Sequence, residues 1–201
     1  MKLLYGTTNK SKIDFMQRRV QPLGIELLSL TDVSAPKLRI EESGNSPLEN
    51  ARIKARAYFN ALRMPLFSCD SGLYIDGLDD ARQPGINVRG QDDYMTDDDA
   101  IAYYSALAVE MGGRMVARYV NAICLILEDG HVIEHMGEDV ASEPFYLVSK
   151  PHKIRKEGFP LDSISVDIRT GEYYYDMKDG WKYGSKKSDD GFANFFKRHL
   201  M

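Results

Sequence analysis

The chain carries only two cysteines in 201 residues, Cys69 and Cys124, each alone among apolar neighbours. That excludes a disulfide framework and a C-x-x-C metal pair, and it favours a reducing compartment. Long hydrophobic runs are also missing. The longest, residues 122–127, falls far short of the roughly 20 apolar residues that span a bilayer. The opening residues meet polar sequence too soon for a signal-peptide core, so a soluble, cytoplasmic protein is expected, with no membrane partner. Nor is there an excess of positive charge: 26 Lys and Arg stand against 30 Asp and Glu, for a formal net charge of −4. That balance argues against binding a nucleic-acid polymer through a broad basic surface, though a local basic pocket remains open. No internal repeat, low-complexity tract or linker is seen. What is present is ordinary for a folded chain, 43% hydrophobic and 28% charged. A chain of this size can bury its own core, and residues 1–201 are read as a single domain.

Leu3-Leu4-Tyr5 stops at Gly6 and reads as a buried strand. Polar Thr7-Thr8-Asn9-Lys10-Ser11-Lys12 follows, then Ile13, Phe15, Met16 and Val20 at helical spacing, ended by Pro22 and Gly24. Residues 25–30 read as a second strand, and strand–loop–helix–strand is how an α/β protein opens. Ser46-Pro47-Leu48-Glu49 is a strong helix start, with Ala51, Ala55, Tyr58 and Leu62 as the buried stripe. Short strands are expected at residues 66–69 and 73–75, and Asp97, Asp98 and Asp99 open a helix that Gly112-Gly113 closes. Residues 116–127 and 131–140 flank Glu128-Asp129-Gly130 as a long antiparallel hairpin, expected to form a second lobe. Residues 150–191 read as irregular, and a last amphipathic helix spans residues 192–200. The fold class is α/β: a mixed central β-sheet flanked by helices, in two lobes.

Three segments could carry chemistry. Residues 7–12 leave a strand and open a helix, so backbone N–H groups, hydroxyls and lysines converge as they would around phosphate. The Gly-rich spacing of a P-loop is absent, and a polar N-cap with solvated lysines is the plain alternative. Glu41-Glu42-Ser43-Gly44-Asn45 precedes the capped helix, on which Asn50 and Lys54 share a face. Such carboxylates could hold Mg²⁺, or form a solvated acidic loop. In Cys69-Asp70-Ser71-Gly72-Leu73 an aspartate follows an apolar strand, where α/β sheets gather ligands, or simply starts a turn. Asp97, Asp98 and Asp99 read as helix N-terminal charge. His131 and His135 read as structural or solvated, Tyr173-Tyr174-Tyr175 with Trp181 as packing, and Lys186-Lys187 as solvent-facing.

Taken in order, these segments resemble the inosine/xanthosine triphosphate pyrophosphatase family. Its T-x-N-x-x-K loop is matched by Thr7, Asn9 and Lys12. Its E-E-T-G and E-N-A-x-x-K-A are matched by Glu41-Glu42-Ser43-Gly44 and Glu49-Asn50-Ala51-Arg52-Ile53-Lys54-Ala55. D-D-S-G-L is matched by Asp70-Ser71-Gly72-Leu73, with Cys69 in the first aspartate's place, and P-G-I by Pro84-Gly85-Ile86. The later segments depart further. The base-binding G-F-G-[YW]-D-P-x-F becomes Gly158-Phe159-Pro160-Leu161-Asp162-Ser163-Ile164-Ser165, and the His-Arg of S-H-R-x-x-A becomes Asp189-Asp190.

The resemblance implies Mg²⁺-dependent hydrolysis of a nucleoside triphosphate between its α and β phosphates, in a nucleotide cleft between the two lobes of a homodimeric enzyme. It implies Asp70 and Lys54 as catalytic residues, Glu42 and Asp70 as metal ligands, and Glu41 as a lesser neighbour. Thr7, Thr8, Asn9, Lys12, Lys54 and Ser71 would bind phosphate, and Phe159, Asp162, Asp189 and Asp190 the base; whether Arg89 matches the family's arginine is left open. Ionised carboxylates only accept hydrogen bonds, so the Asp189-Asp190 pair points to a shifted or relaxed base preference. A non-enzymatic nucleotide-binding protein that kept the fold is the rival reading.

Overall fold

Apolar alternation builds the central sheet, because successive strand residues face opposite sides. The computed structural model describes residues 1–90, 94–177 and 182–201, apart from the side chains of residue 11 and residues 182–189. Strand β1 (Lys2–Tyr5) pairs in parallel with β2 (Glu26–Leu28) and with β3 (Leu66–Ile75). Strand β4 (Arg114–Ile126) pairs antiparallel with β5 (Val132–His135) and β6 (Phe145–Val148), and β6 pairs antiparallel with β7 (Ser165–Asp167). The order is β2-β1-β3-β4-β6-β7 with β5 beside β4, a mixed seven-stranded sheet. The helices are α1 (Lys10–Val20), α2 (Pro47–Leu62), α3 (Asp97–Glu110) and α4 (Lys182–Leu200). None among the described residues is long and apolar enough to cross a membrane.

The chain divides into two compact units. The first comprises Met1–Ser71, Val120–Ala141 and Ser188–Met201, the second Gly72–Tyr119 and Ser142–Lys187. The first has a core on each face of its strands. Leu3, Tyr5, Phe67, Cys69, Ile123 and Leu125 pack against α1 and α4 through Met16, Phe192 and Phe196. Leu4, Leu66, Ala122, Cys124 and Ile126 pack on the other face against Ala51 and Ala55 of α2. The second unit gathers Leu73, Ile75, Tyr104, Leu107, Phe145, Leu147 and Leu161.

Several elements differ from the sequence reading. The hairpin does not make a lobe by itself: Val120–Ala141 belongs to the first unit, because β4 there is buried on both faces. Its return strand stops at His135, and residues 136–139 turn with Asp139 accepting from the His135 ring at 2.7 Å. The two short strands expected at residues 66–69 and 73–75 are one, β3, which runs on past the end of β1. The stretch read as irregular contains a 3₁₀ turn (Pro160–Ile164), strand β7 and the first turns of α4. Tyr174 is core, as the packing reading of the tyrosine run requires, while Trp181 lies outside the described residues.

Gly191 lies inside α4, where alanine ordinarily stabilises a helix by about 1 kcal/mol over glycine. Here an added methyl would overlap the Asp139 carbonyl. Gly191→Ala is therefore expected to destabilise by about 1–3 kcal/mol. Thermal unfolding checks the sign, and a raised midpoint would contradict the packing.

Burial pushes the thiols of both Cys69 and Cys124 up to about 12. A pKa raised on folding contributes stability below the unfolded value, about 8.5 for a thiol, and loses it as pH climbs towards the folded value. The denaturant midpoint should fall from about pH 8.5 upward, and fall less in a Cys69→Ala, Cys124→Ala variant. At pH 8 the folded protein should resist thiol alkylation that the unfolded chain undergoes readily.

Candidate active site

The first turn of α2 is built to hold the acidic loop that precedes it. Ser46 caps the helix by accepting from the Glu49 N–H at 3.3 Å. Buried Asn50 accepts the Gly44 N–H at 2.9 Å, and Glu49 accepts the Asn45 N–H at 2.6 Å. A Cβ on Gly44 would lie 2.6 Å from both Asn50 Oδ1 and Glu49 Cβ, so glycine is what allows the loop this close. One helical turn beyond Asn50, Lys54 reaches back. Its Nζ donates to Glu42 Oε2 at 2.8 Å and to Asp70 Oδ1 at 2.9 Å. Glu41, next to Glu42, is exposed.

Asp70 reaches Lys54 because β3 alternates: Asp70 shares the α2 face with Leu66, while Phe67 and Cys69 face the α1–α4 core. The Lys54 and Asp70 side chains are 13% and 12% exposed, against 43% for Glu42. Burial alone would lower the Lys54 ammonium's pKa. Asp70 and Glu42 outweigh it and hold that pKa above the usual value, so the charge persists at neutral pH.

Gly6 ends β1 with its N–H on the Phe67 carbonyl at 2.8 Å. Thr7 Oγ1 then accepts the Asn9 N–H, and Asn9 Oδ1 caps α1 by accepting the Lys12 N–H at 3.1 Å. The plain N-cap reading of this loop therefore holds, and it is compatible with the chemical one. Caps consume oxygens, leaving the Thr7 hydroxyl proton and the Asn9 amide hydrogens to donate, as phosphate requires. Thr8 is exposed. Burial raises the pKa of the Cys69 thiol, and the charges of Lys12 and Lys54 oppose it. Cys69 itself is buried in the core that also holds Tyr5.

Ser71 is not brought together with Asp70 and Lys54. By alternation it falls on the opposite face of β3, where its hydroxyl donates to Asn121 Oδ1 at 2.7 Å. Asn121 Nδ2 donates to the Val140 carbonyl at 2.8 Å, which fixes the amide's orientation and commits the Ser71 proton. Sequence reasoning passed over Asn121. Its signal was a single amide inside the apolar run Val120-Asn121-Ala122-Ile123, a position that needs a hydrogen-bonding partner.

The residues expected at the base lie partly in the second unit. Phe159 is half-buried, with Lys156 Nζ 4.3 Å from its ring centroid. Asp162 is buried in the 3₁₀ turn, and its charge adds to the burial that raises the pKa of Tyr119, Tyr174 and Tyr175. Asp190 is exposed on α4 of the first unit, and the Asp189 side chain lies outside the described residues. Arg89, whose role the sequence left open, pairs with Asp97 at 2.5 Å.

The convergent set is thus Glu42, Lys54 and Asp70. Among the described residues no group of three or more His, Cys, Asp or Glu could hold a metal alone. Two carboxylates meeting on one lysine still fit Mg²⁺, which binds through one or two carboxylates and completes its shell with water and substrate phosphates.

Comparison with known proteins places the chain in a family. The Ham1 family model matches residues 3–144. A dITP/XTP pyrophosphatase of Agrobacterium fabrum is 32% identical, covering 98% of this chain and 94% of its own. One of Rhodopseudomonas palustris is 37% identical over a shorter match, 66% of this chain and 64% of its own. Among solved structures, a HAM1 protein from Coxiella burnetii shares the fold at a TM-score of 0.76 and 20% identity, covering 98% of this chain and 99% of its own. The Staphylococcus aureus Ham1 protein does so at 0.72 and 18%, with the same coverage. By the family match and the near full-length relative together, this chain is a member of the Ham1 family.

Proposed function

We propose that this chain is a nucleoside triphosphate pyrophosphatase that hydrolyses non-standard purine nucleotides, with a base preference altered by Asp189 and Asp190. The observation that carries the reading is the meeting of Glu42 and Asp70 on Lys54. The names of the relatives supply the reaction class. Water's oxygen bonds to the α phosphorus, the bridging bond to the β phosphate breaks, and its electron pair leaves on pyrophosphate.

Asp70 accepts the water's proton on the carboxylate oxygen not engaged by Lys54. Lys54 and Lys12 offset the phosphate charge, strongest where the site is least solvated. Thr7, Thr8 and Asn9 orient the polyphosphate with the donors that capping leaves over. Glu42 and Asp70 would hold Mg²⁺, which supplies further neutralisation of the phosphates when bound. Phe159 would stack on the base. Asp162, Asp189 and Asp190 are the carboxylates assigned to its edge, and carboxylates favour edges that carry N–H donors over edges of carbonyl oxygens. A non-enzymatic nucleotide binder is favoured only by Cys69 and Asp189-Asp190, where family side chains are replaced.

Pyrophosphate release from a panel of common and deaminated nucleoside triphosphates tests the reading. Asp70→Asn should lower turnover by roughly 10²–10⁴-fold, and Glu42→Gln should raise the Mg²⁺ concentration needed for half-maximal rate. Wild-type activity preserved in Asp70→Asn would remove Asp70 from the mechanism. Nucleotide binding without any turnover would install the non-enzymatic reading. Strong preference for deaminated purines over every other base would refute the altered preference.

A further inference from the structure

Three consecutive aspartates open α3, and they do different things. Asp99 completes the helix cap: its N–H donates to Thr96 Oγ1 at 3.2 Å, and its Oδ2 accepts the Thr96 N–H at 3.1 Å. Asp98 is exposed. Asp97 turns elsewhere. Its Oδ1 accepts from Arg89 Nη2 at 2.5 Å, while its Oδ2 accepts the Gly158 N–H at 2.8 Å, 61 residues away along the chain. Arg89 is in turn held by the Met95 carbonyl at 3.1 Å. With the helix terminus already satisfied by Asp99 and Thr96, no capping duty explains where Asp97 points.

Gly158 is the residue before Phe159. The segment is a tight turn, closed by the Phe159 N–H on the Lys156 carbonyl at 2.9 Å, with Gly158 at φ +80°. On its other side Phe159 leads into the 3₁₀ turn, whose Leu161 and Ile164 share a core with Ile101, Tyr104 and Leu107 of α3. Helix α3 therefore fixes the chain on both flanks of Phe159, by apolar packing after it and by the Asp97 carboxylate before it. Burial alone would raise the Asp97 carboxyl's pKa, but Arg89 and the Gly158 N–H outweigh it and keep that pKa below its ordinary value.

We infer that Asp97, braced by Arg89, is a positioning residue for base discrimination: it sets the turn that carries Phe159. The inference rests on the reading of Phe159 as the ring that stacks on the base. Asp97 touches no phosphate group in this account, so its loss should act on the nucleoside end of the substrate alone. A peptide N–H on a charged carboxylate is a strong hydrogen bond, and losing it frees the turn to rotate the ring.

The test compares wild type with Asp97→Ala and Asp97→Asn, after thermal unfolding confirms that each variant folds. Asn keeps an acceptor for the Gly158 N–H and gives up the charge facing Arg89, so it preserves the turn if Ala does not fold. For each protein, kcat and KM are measured on an inosine and an adenosine triphosphate, together with inhibition by inorganic tripolyphosphate, which has no base. The expected result for Asp97→Ala is a KM raised roughly tenfold with a changed ratio between the two bases, the order for one lost charge-assisted hydrogen bond. The tripolyphosphate inhibition constant should stay put, and Asp97→Asn should fall between Ala and wild type.

Unchanged KM and base ratio in an active Asp97→Ala enzyme overturn the inference and leave the pyrophosphatase reading standing. Equal weakening of nucleotide and tripolyphosphate also overturns it, since that is general damage. A wild type that turns over neither nucleotide removes the functional reading itself, and the inference with it.

Discussion

Much of the first unit's chemistry depends on one ammonium ion kept in a poorly solvated place. Lys54 leaves the side of α2 that packs on the sheet, and its charge is tolerated there because two carboxylates, from a loop and from β3, close on it within 3 Å. Removing either partner would leave a largely buried charge under-compensated, and removing Lys54 would set Glu42 and Asp70 against each other. The constraint runs outward from there. Glu42 can arrive only if the loop lies flat on the first turn of α2, which requires the missing Cβ of Gly44 and the acceptor of Asn50. Asp70 can arrive only if β3 keeps its register beside β1, which Gly6 and Ser68 secure by close contact at the end of that strand.

Strand alternation then decides which neighbours of Asp70 share its work. The residues on either side, Cys69 and Ser71, fall on the far face, where Cys69 packs in the core with Tyr5 and Phe67 and Ser71 donates to Asn121. The thiol in place of a family carboxylate is consistent with that environment. A charge buried beside Leu3, Met16 and Phe67 would need a counter-ion, whereas a protonated thiol needs only a weak hydrogen bond. On the proposed function, a neutral thiol beside Asp70 would also leave one negative charge fewer to oppose an anionic substrate.

How much of this was legible follows from the sequence separation of the contacts. The Gly44–Asn50 and Glu42–Lys54 contacts close within 12 residues, on the acidic loop and the helix face that residue type and spacing mark, with Glu42 itself singled out by the family resemblance. The N-cap of α1 by Asn9 is equally local. The length of β3 was not legible, because Gly72 reads as a break; the pairing of Leu73 with Gly85 keeps that stretch extended. The onset of α4 was hidden too, since Gly184 and Gly191 argue against helix, while Gly191 stands where only a bare Cα fits against Asp139. Asn121 and Asp97 escaped for a related reason: each is explained by a partner that only the fold supplies.

The contrast separates the Lys54 cluster of the first unit from the contacts around Phe159 in the second. The Lys54 cluster is made of contacts that close over 6 to 16 residues. Any change at Gly44, Asn50 or Lys54 breaks several contacts at once, which couples these positions tightly. The contacts around Phe159 are assembled over longer separations, as from Asp97 to Gly158. On the proposed function, substitutions on the nucleoside side would leave the contacts of Lys54 with Glu42 and Asp70 as they are. Specificity is a difference between binding free energies, and it moves most easily where single contacts can be altered one at a time.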